Sequence, residues 1–181
     1  MPRLTTIVIS FALLALTACN KGGVDAKNES AKSVADKVAA ADEITLQPGQ
    51  WETTFRMDAM DNGIAAPPAA KAAIERAMAN ARTALTCITP EQAKARKGAF
   101  MQHQAGCTYQ NFTLGGGHIE GTASCDRAGI KRTMKMSGQY GPDNYQMHVD
   151  TQMQRPGGQS VSSSMTMTAR RTGECTGKEA G

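Results

Sequence analysis

Three consecutive stretches in the second half of this chain alternate apolar and polar side chains with period two. That alternation restricts the fold more than any other feature. From 130 to 140 the even positions are Ile130, Arg132, Met134, Met136, Gly138 and Tyr140; the odd positions are Lys131, Thr133, Lys135, Ser137 and Gln139. Gly141-Pro142-Asp143-Asn144 marks a turn. Tyr145, Met147, Val149, Thr151 and Met153 then alternate with Gln146, His148, Asp150 and Gln152. After Pro156-Gly157-Gly158 the apolar series resumes as Val161, Ser163, Met165, Met167 and Ala169. Successive side chains of a strand point to opposite faces, so each stretch reads as a strand with one buried face. Pairing outward from the turns aligns Met136 with Val149 and Met165, and Gly138 with Met147 and Met167. A one-residue slip would turn all of them outward, so the register is well specified. The pattern predicts an antiparallel meander with a methionine-rich buried face.

The N-terminus reads as an export signal. Arg3 supplies a positive charge, Ile7 to Leu16 is an apolar run, and Leu16-Thr17-Ala18-Cys19 matches the bacterial lipobox. The run is about half the roughly twenty residues that a membrane-spanning helix needs. Residues 1–18 are thus expected to be removed, leaving Cys19 as a diacylated or triacylated first residue. Two or three chains anchor stably where a single one is marginal. The expected location is the cell envelope, facing the periplasm; Asn20 after the lipidated Cys, rather than Asp, favours the outer membrane over the inner. Losing Arg3 takes Lys+Arg from 20 to 19 against 16 Asp+Glu, a net charge of +3. With aromatics at 4% and the charge scattered along the chain, there is no sign of a nucleic-acid surface.

Without Cys19, four cysteines remain, an even set that reads as two disulfides in an oxidising compartment. Gly115-Gly116-Gly117 separates runs 107–114 and 118–125. Centring that turn on Gly116 pairs Leu114 with His118 and Phe112 with Glu120, and places Cys107 opposite Cys125, within reach of a bridge. By elimination Cys87 pairs with Cys175. None of the four spacings fits a zinc site.

Residues 19–45, rich in Lys, Asp, Glu, Ser and Ala, read as a lipidated flexible tether spanning about 25–30 Å. Its Ala-rich piece from 31 to 41 is too weakly apolar to stand as a helix alone. Trp51, Thr53, Phe55 and Met57 then alternate as a strand, ended by Asp61-Asn62-Gly63. Ala70, Ile74, Met78, Ala81 and Leu85 recur at helical spacing, so 69–85 is expected to be a helix packed on the sheet. Thr89-Pro90-Glu91-Gln92 reads as the capped start of a short second helix, which Gly98 stops. The expected architecture is mainly β (α+β): a curved or partly closed antiparallel sheet with one packed helix and a short second one. The domain runs over 46–176, followed by a disordered tail at 177–181.

Pro48-Gly49-Gln50-Trp51-Glu52, Cys87-Ile88-Thr89-Pro90-Glu91-Gln92-Ala93, the Cys107/Cys125 pair and Gly173-Glu174-Cys175 occur in that order. Together they resemble the domain-of-unknown-function 3617 family of small exported bacterial proteins, over about residues 46–176. The resemblance implies export, disulfides and a β-rich domain, and it transfers no catalytic residue.

The chemistry offers three readings. Met134, Met136, Met165 and Met167 put soft thioethers on one face, as a periplasmic Cu(I)-binding protein would. Methionine is also an ordinary filler of cores, and none of His103, His118 and His148 joins that face. Asp150 and His148 are neighbours on the polar face and permit a dyad. The serines at 162–164 lie in a plain strand, however, and no nucleophile-elbow motif occurs. The favoured reading is a non-enzymatic envelope protein without cofactor, a binding or structural module; helix 69–85 is expected to plug the Met-lined face, the alternative being a face that takes an apolar ligand or an envelope protein partner.

Overall fold

In the computed structural model, residues 22–41, 43–63, 67–95 and 106–179 are described. The signal segment 1–18, Cys19, Gly98 and His103 lie outside them. The elements in chain order are β1 (Val24–Ala26), β2 (Glu29–Ser30), α1 (Ala31–Ala41), β3 (Gly49–Asp61), α2 (Pro68–Ala79), β4 (Arg82–Ile88), α3 (Pro90–Ala95), β5 (Cys107–Gly115), β6 (His118–Arg127), β7 (Ile130–Tyr140), β8 (Asn144–Gln154) and β9 (Ser160–Gly173). Nine strands form one antiparallel sheet in the order β1-β5-β6-β7-β8-β9-β3-β4, with β2 also on β5. The sheet is mainly β and antiparallel as expected, and it does not close.

The meander has the register expected from its alternation. Met136 faces Val149 and Val149 faces Met165; Gly138 faces Met147 and Met147 faces Met167. At Gly138 a side chain cannot fit: a Cβ there would stand 2.4 Å from the Gln146 carbonyl oxygen. The β5–β6 hairpin corrects one detail. Gly116 and Gly117, both at positive φ, form a two-residue turn between Gly115 and His118. Leu114 therefore faces Ile119 and Phe112 faces Gly121, one step from the expected Leu114–His118 and Phe112–Glu120 pairs. An irregularity between Tyr109 and Asn111 inserts one residue and restores the original alignment. Cys107 thus does face Cys125, and the two are bridged, as are Cys87 and Cys175.

The helices are distributed differently from the expectation. Residues 69–85 are not one packed helix: α2 ends at Ala79, and Arg82–Ile88 form β4 along β3. The spacing of Ala81 and Leu85 imitated a helical stripe, whereas Thr83, Thr86, Cys87 and Ile88 complete a ladder with β3. Leu85 is 43% exposed and Ile74 37%, so α2 flanks the β3 edge rather than filling the sheet face. The packed helix is α1, inside the segment expected to be a tether. Val24 and Ala26 join β5 as β1, and Val34 and Val38 reach 0% and 1% exposure against Tyr109, Phe112, Leu114, Ile119, Met134 and Met136. The Ser30 hydroxyl accepts the Ser33 amide at 3.1 Å and caps the helix. Burial against the sheet supplies the stability that the isolated 11-residue helix lacks. The short second helix, α3, starts as expected: Thr89 N–H donates to Gln92 Oε1 at 3.0 Å, and Gln92 N–H to Thr89 Oγ1 at 3.2 Å. A smaller second core gathers Trp51, Ile88 and Ala169, with Tyr145 stacked on Trp51 at 6.1 Å. The tail is not disordered up to 179, because Glu179 accepts hydrogen bonds from Gln50 and Thr176.

Val34→Ala and Val38→Ala should each lower unfolding free energy by about 2–3 kcal/mol in urea titrations, two buried methylenes plus the cavity left behind. Leu85→Ala should cost under about 1 kcal/mol, since its side chain is largely solvated already. The opposite ranking would restore 69–85 as the core helix.

Candidate functional site

Register divides strands β3, β4 and β6–β9 into two faces of different chemistry. On the α1 side, transverse rows can be followed across the sheet. One runs Met136, Val149, Met165, Met57; the next runs Gly138, Met147, Met167, Phe55, Arg82. A third begins Cys125, Arg132, Met153, Val161. Helix α1 covers the β5–β7 end of these rows and buries Met134 and Met136. Over β8, β9 and β3 the coverage stops. Met57, Met153, Val161, Met165 and Met167 are only half-buried, and Phe55, Met60 and Ile130 are exposed at 39%, 50% and 36%. Met60 meets Ile74 and Met78 of α2 along a groove of about 300 Å³ at the β3 edge.

The four methionines considered for copper are not brought together. Strand β8 stands between the two Met-x-Met strands, so the pairs are separated by about 10 Å of sheet, with Val149 between Met136 and Met165. Two of the four belong to the α1 core.

The opposite face is polar, and it assembles a network around His148 that the sequence only half revealed. His148 Nδ1 lies 3.1 Å from Thr166 Oγ1 and 3.7 Å from Asp58 Oδ2. Nε2 lies 3.2 Å from Ser164 Oγ and 3.3 Å from Asp150 Oδ1. Thr166 donates its single hydroxyl proton to Asp58 at 2.5 Å. Its oxygen is then an acceptor toward His148, which fixes the proton of neutral imidazole on Nδ1 and leaves Nε2 to accept from Ser164. On protonation Nε2 becomes a donor, and Asp150 is the acceptor in reach. The expected His148–Asp150 pair is therefore present, and Ser164, Thr166 and Asp58 join it from β9 and β3.

A hydroxyl directed at a His base is the start of a nucleophile. Acyl transfer further requires free N–H donors where charge develops. Ser164 sits in β9 between β8 and β3, and the β3 ladder is interrupted beside it, where Asp58 is passed over between the Met57–Met165 and Ala59–Ser164 pairs. The Thr166 hydrogen bond, and next the Arg56 guanidinium, hold the Asp58 carboxyl below the usual aspartate range. His118 lines a shallow hollow with Glu120 and Gln146 that His148 also borders. Among the described residues no three His, Cys, Asp or Glu side chains gather as metal ligands.

The order of the Trp51 strand, the Cys87 turn, the bridged hairpin and the closing Cys175 is matched by one family profile. It is described as a protein of unknown function (DUF3617) and covers residues 46–175. The chain belongs to the DUF3617 family. No curated protein and no solved structure matches it. The DUF3617 match includes both disulfides and every strand from β3 to β9, but it begins after α1. In this chain, therefore, the covering of Tyr109, Phe112 and Leu114 comes from residues outside the matched part.

Asp58 gives a pH test. A depressed carboxyl contributes stability that is present above its unfolded pKa and is lost as pH falls through its folded value. Carbon-detected NMR titration should find Asp58 titrating below 3.8. In Thr166→Val it should move back up toward that value, with the variant's stability deficit vanishing in acid.

Proposed function

We propose that this DUF3617 protein is a lipid-anchored, non-enzymatic binding module of the cell envelope. Residues 1–18 are its export signal and Cys19 its anchor. The observation that carries the binding role is the apolar sheet face left open over β8, β9 and β3. A single buried face was expected, yet α1 covers only part of it and α2 lies at the edge. Contiguous exposed apolar surface of this kind marks interaction sites in soluble domains. The Cu(I) reading gains less support, because Met134 and Met136 are packed under α1.

The fold also changes how the anchor would act. The chain enters β1 at Val24, five residues after Cys19, a reach of at most about 18 Å rather than a 25–30 Å tether. An anchor so short holds the domain against the bilayer surface.

Expressed in a bacterium with lipoprotein processing, the full-length chain should yield a mature protein whose intact mass starts at Cys19 and includes acyl chains. Cys19→Ser should shift it from the membrane to the soluble envelope fraction. An unmodified Cys19 in the membrane fraction would remove the anchor from the proposal.

A further inference from the structure

The open face carries a second chemical signature that periodicity alone concealed. On strands β3, β4 and β6–β9 every acidic side chain lies on the polar face: Glu52, Asp58, Asp61, Glu120, Asp126 and Asp150. The apolar face carries none. It carries arginines instead. Arg132 faces Cys125 and Met153, Arg127 faces Ile130, and Arg82 faces Phe55. All three are exposed, and among the described residues none of them forms an ion pair or a side-chain hydrogen bond. By contrast, Arg56 and Arg170 on the polar face are paired with Asp58 and Glu52. Thus Arg127 and Arg132 stand on one side of an apolar field of exposed Phe55 and Met60 and half-buried Met57, Met153 and Met165, and Arg82 on the other.

We infer that this face docks on an anionic lipid bilayer surface, a reading that rests on the proposed binding role and names its partner. Charge complementarity selects the occupant: unpaired guanidinium groups around apolar side chains match phosphate headgroups above acyl chains, and they would repel a cationic partner. The form of the face selects a surface over a single carried lipid. The hollows beside this face are open grooves at the α2 edge, bordered by Met57 and Met60 together with Glu75 and Met78 of α2, and the rows of β8 and β9 stand outside them. The reach of the chain is consistent as well. Helix α1 holds its half of the sheet about 10 Å off any plane that the open half touches. Val24, on that raised half, is within the roughly 18 Å that five residues from Cys19 can span. Anchor and open face therefore engage one membrane from opposite halves of the sheet, the anchor beside edge strand β1 and the open face over β8, β9 and β3.

The test uses the full mature protein, reconstituted into phosphatidylcholine vesicles with or without phosphatidylglycerol and exposed briefly to hydrogen peroxide. Methionine sulfoxide is then read by peptide mass spectrometry. Met57, Met60, Met153 and Met165 should oxidise several-fold more slowly when phosphatidylglycerol is present. The combined Arg82→Gln, Arg127→Gln, Arg132→Gln variant should lose that protection, while slow oxidation of buried Met134 and Met136 reports that it is folded. Equal rates on both vesicles overturn the inference, as does protection that follows protein concentration without vesicles, the mark of self-association. Anchoring is read separately, from intact mass and flotation on phosphatidylcholine alone. An anchored but unprotected protein thus removes the docking and leaves the anchor standing. If Cys19 carries no lipid, flotation on phosphatidylglycerol vesicles that the arginine variant loses still supports docking, and its absence overturns it.

Discussion

An antiparallel ladder commits each side chain to one of two faces, and a slip of one residue exchanges the faces wholesale. Much of this molecule follows from that constraint. The β7–β8–β9 register sends thioethers and aromatics one way and His148, Ser164 and Thr166 the other. Once β3 pairs with β9, Asp58 falls beside Thr166, and Phe55 and Met57 extend the apolar rows. The polar network and the open apolar surface are two consequences of a single alignment. The bridge at Cys107–Cys125 pins that alignment at one margin of the meander, while Cys87–Cys175 closes a separation of 88 residues. In the chain-entropy treatment a loop of that length is worth about 4–5 kcal/mol.

What the ladder leaves unsolved is the covering of its apolar side. An open sheet of this size needs a second layer, and here the layer is one amphipathic helix of 11 residues. Two valines at near-zero exposure anchor it, which suffices for β5 to β7 and for nothing beyond. The second core around Trp51, built from the 43–48 segment, Ile88 and Tyr145, seals one end of the β8–β9–β3 region. The rest stays half-covered.

The strands were legible because period two is a strong signal and Gly-Pro turns delimit it. The Met136–Val149–Met165 row and the cysteine pairing followed from counting alone. Three things could not be read that way. The extra residue near Gln110 leaves no mark in composition, since an irregular position in a strand can hold almost any side chain. Helix α1 looked too weak because its worth lies in burial against Tyr109 and Phe112, strands remote in sequence. Residues 80–88 kept a helical spacing by coincidence, and only a β3 partner decides against it. The His148 site divides the same way. Asp150 is two residues away and Ser164 and Thr166 follow from the meander, whereas Asp58 arrives through a pairing between strands distant in sequence. The charges looked scattered for a related reason: only register sorts the acids to one face and leaves Arg82, Arg127 and Arg132 on the other.

That sorting bears on why an incompletely covered sheet is tolerable. Exposed Phe55, Met60 and Ile130 invite association with any apolar surface, including copies of the same chain. Three uncompensated arginines on the same face oppose self-association, because a second copy presents the same positive charge. They do not oppose contact with an anionic lipid plane, where apolar burial and electrostatic attraction act together. Covering the face with a longer helix would remove the hazard and also the surface. The short α1, the edge position of α2 and the arginines on strands whose acids all face the other way therefore belong to one solution, in which the missing part of the second layer is supplied from outside the chain.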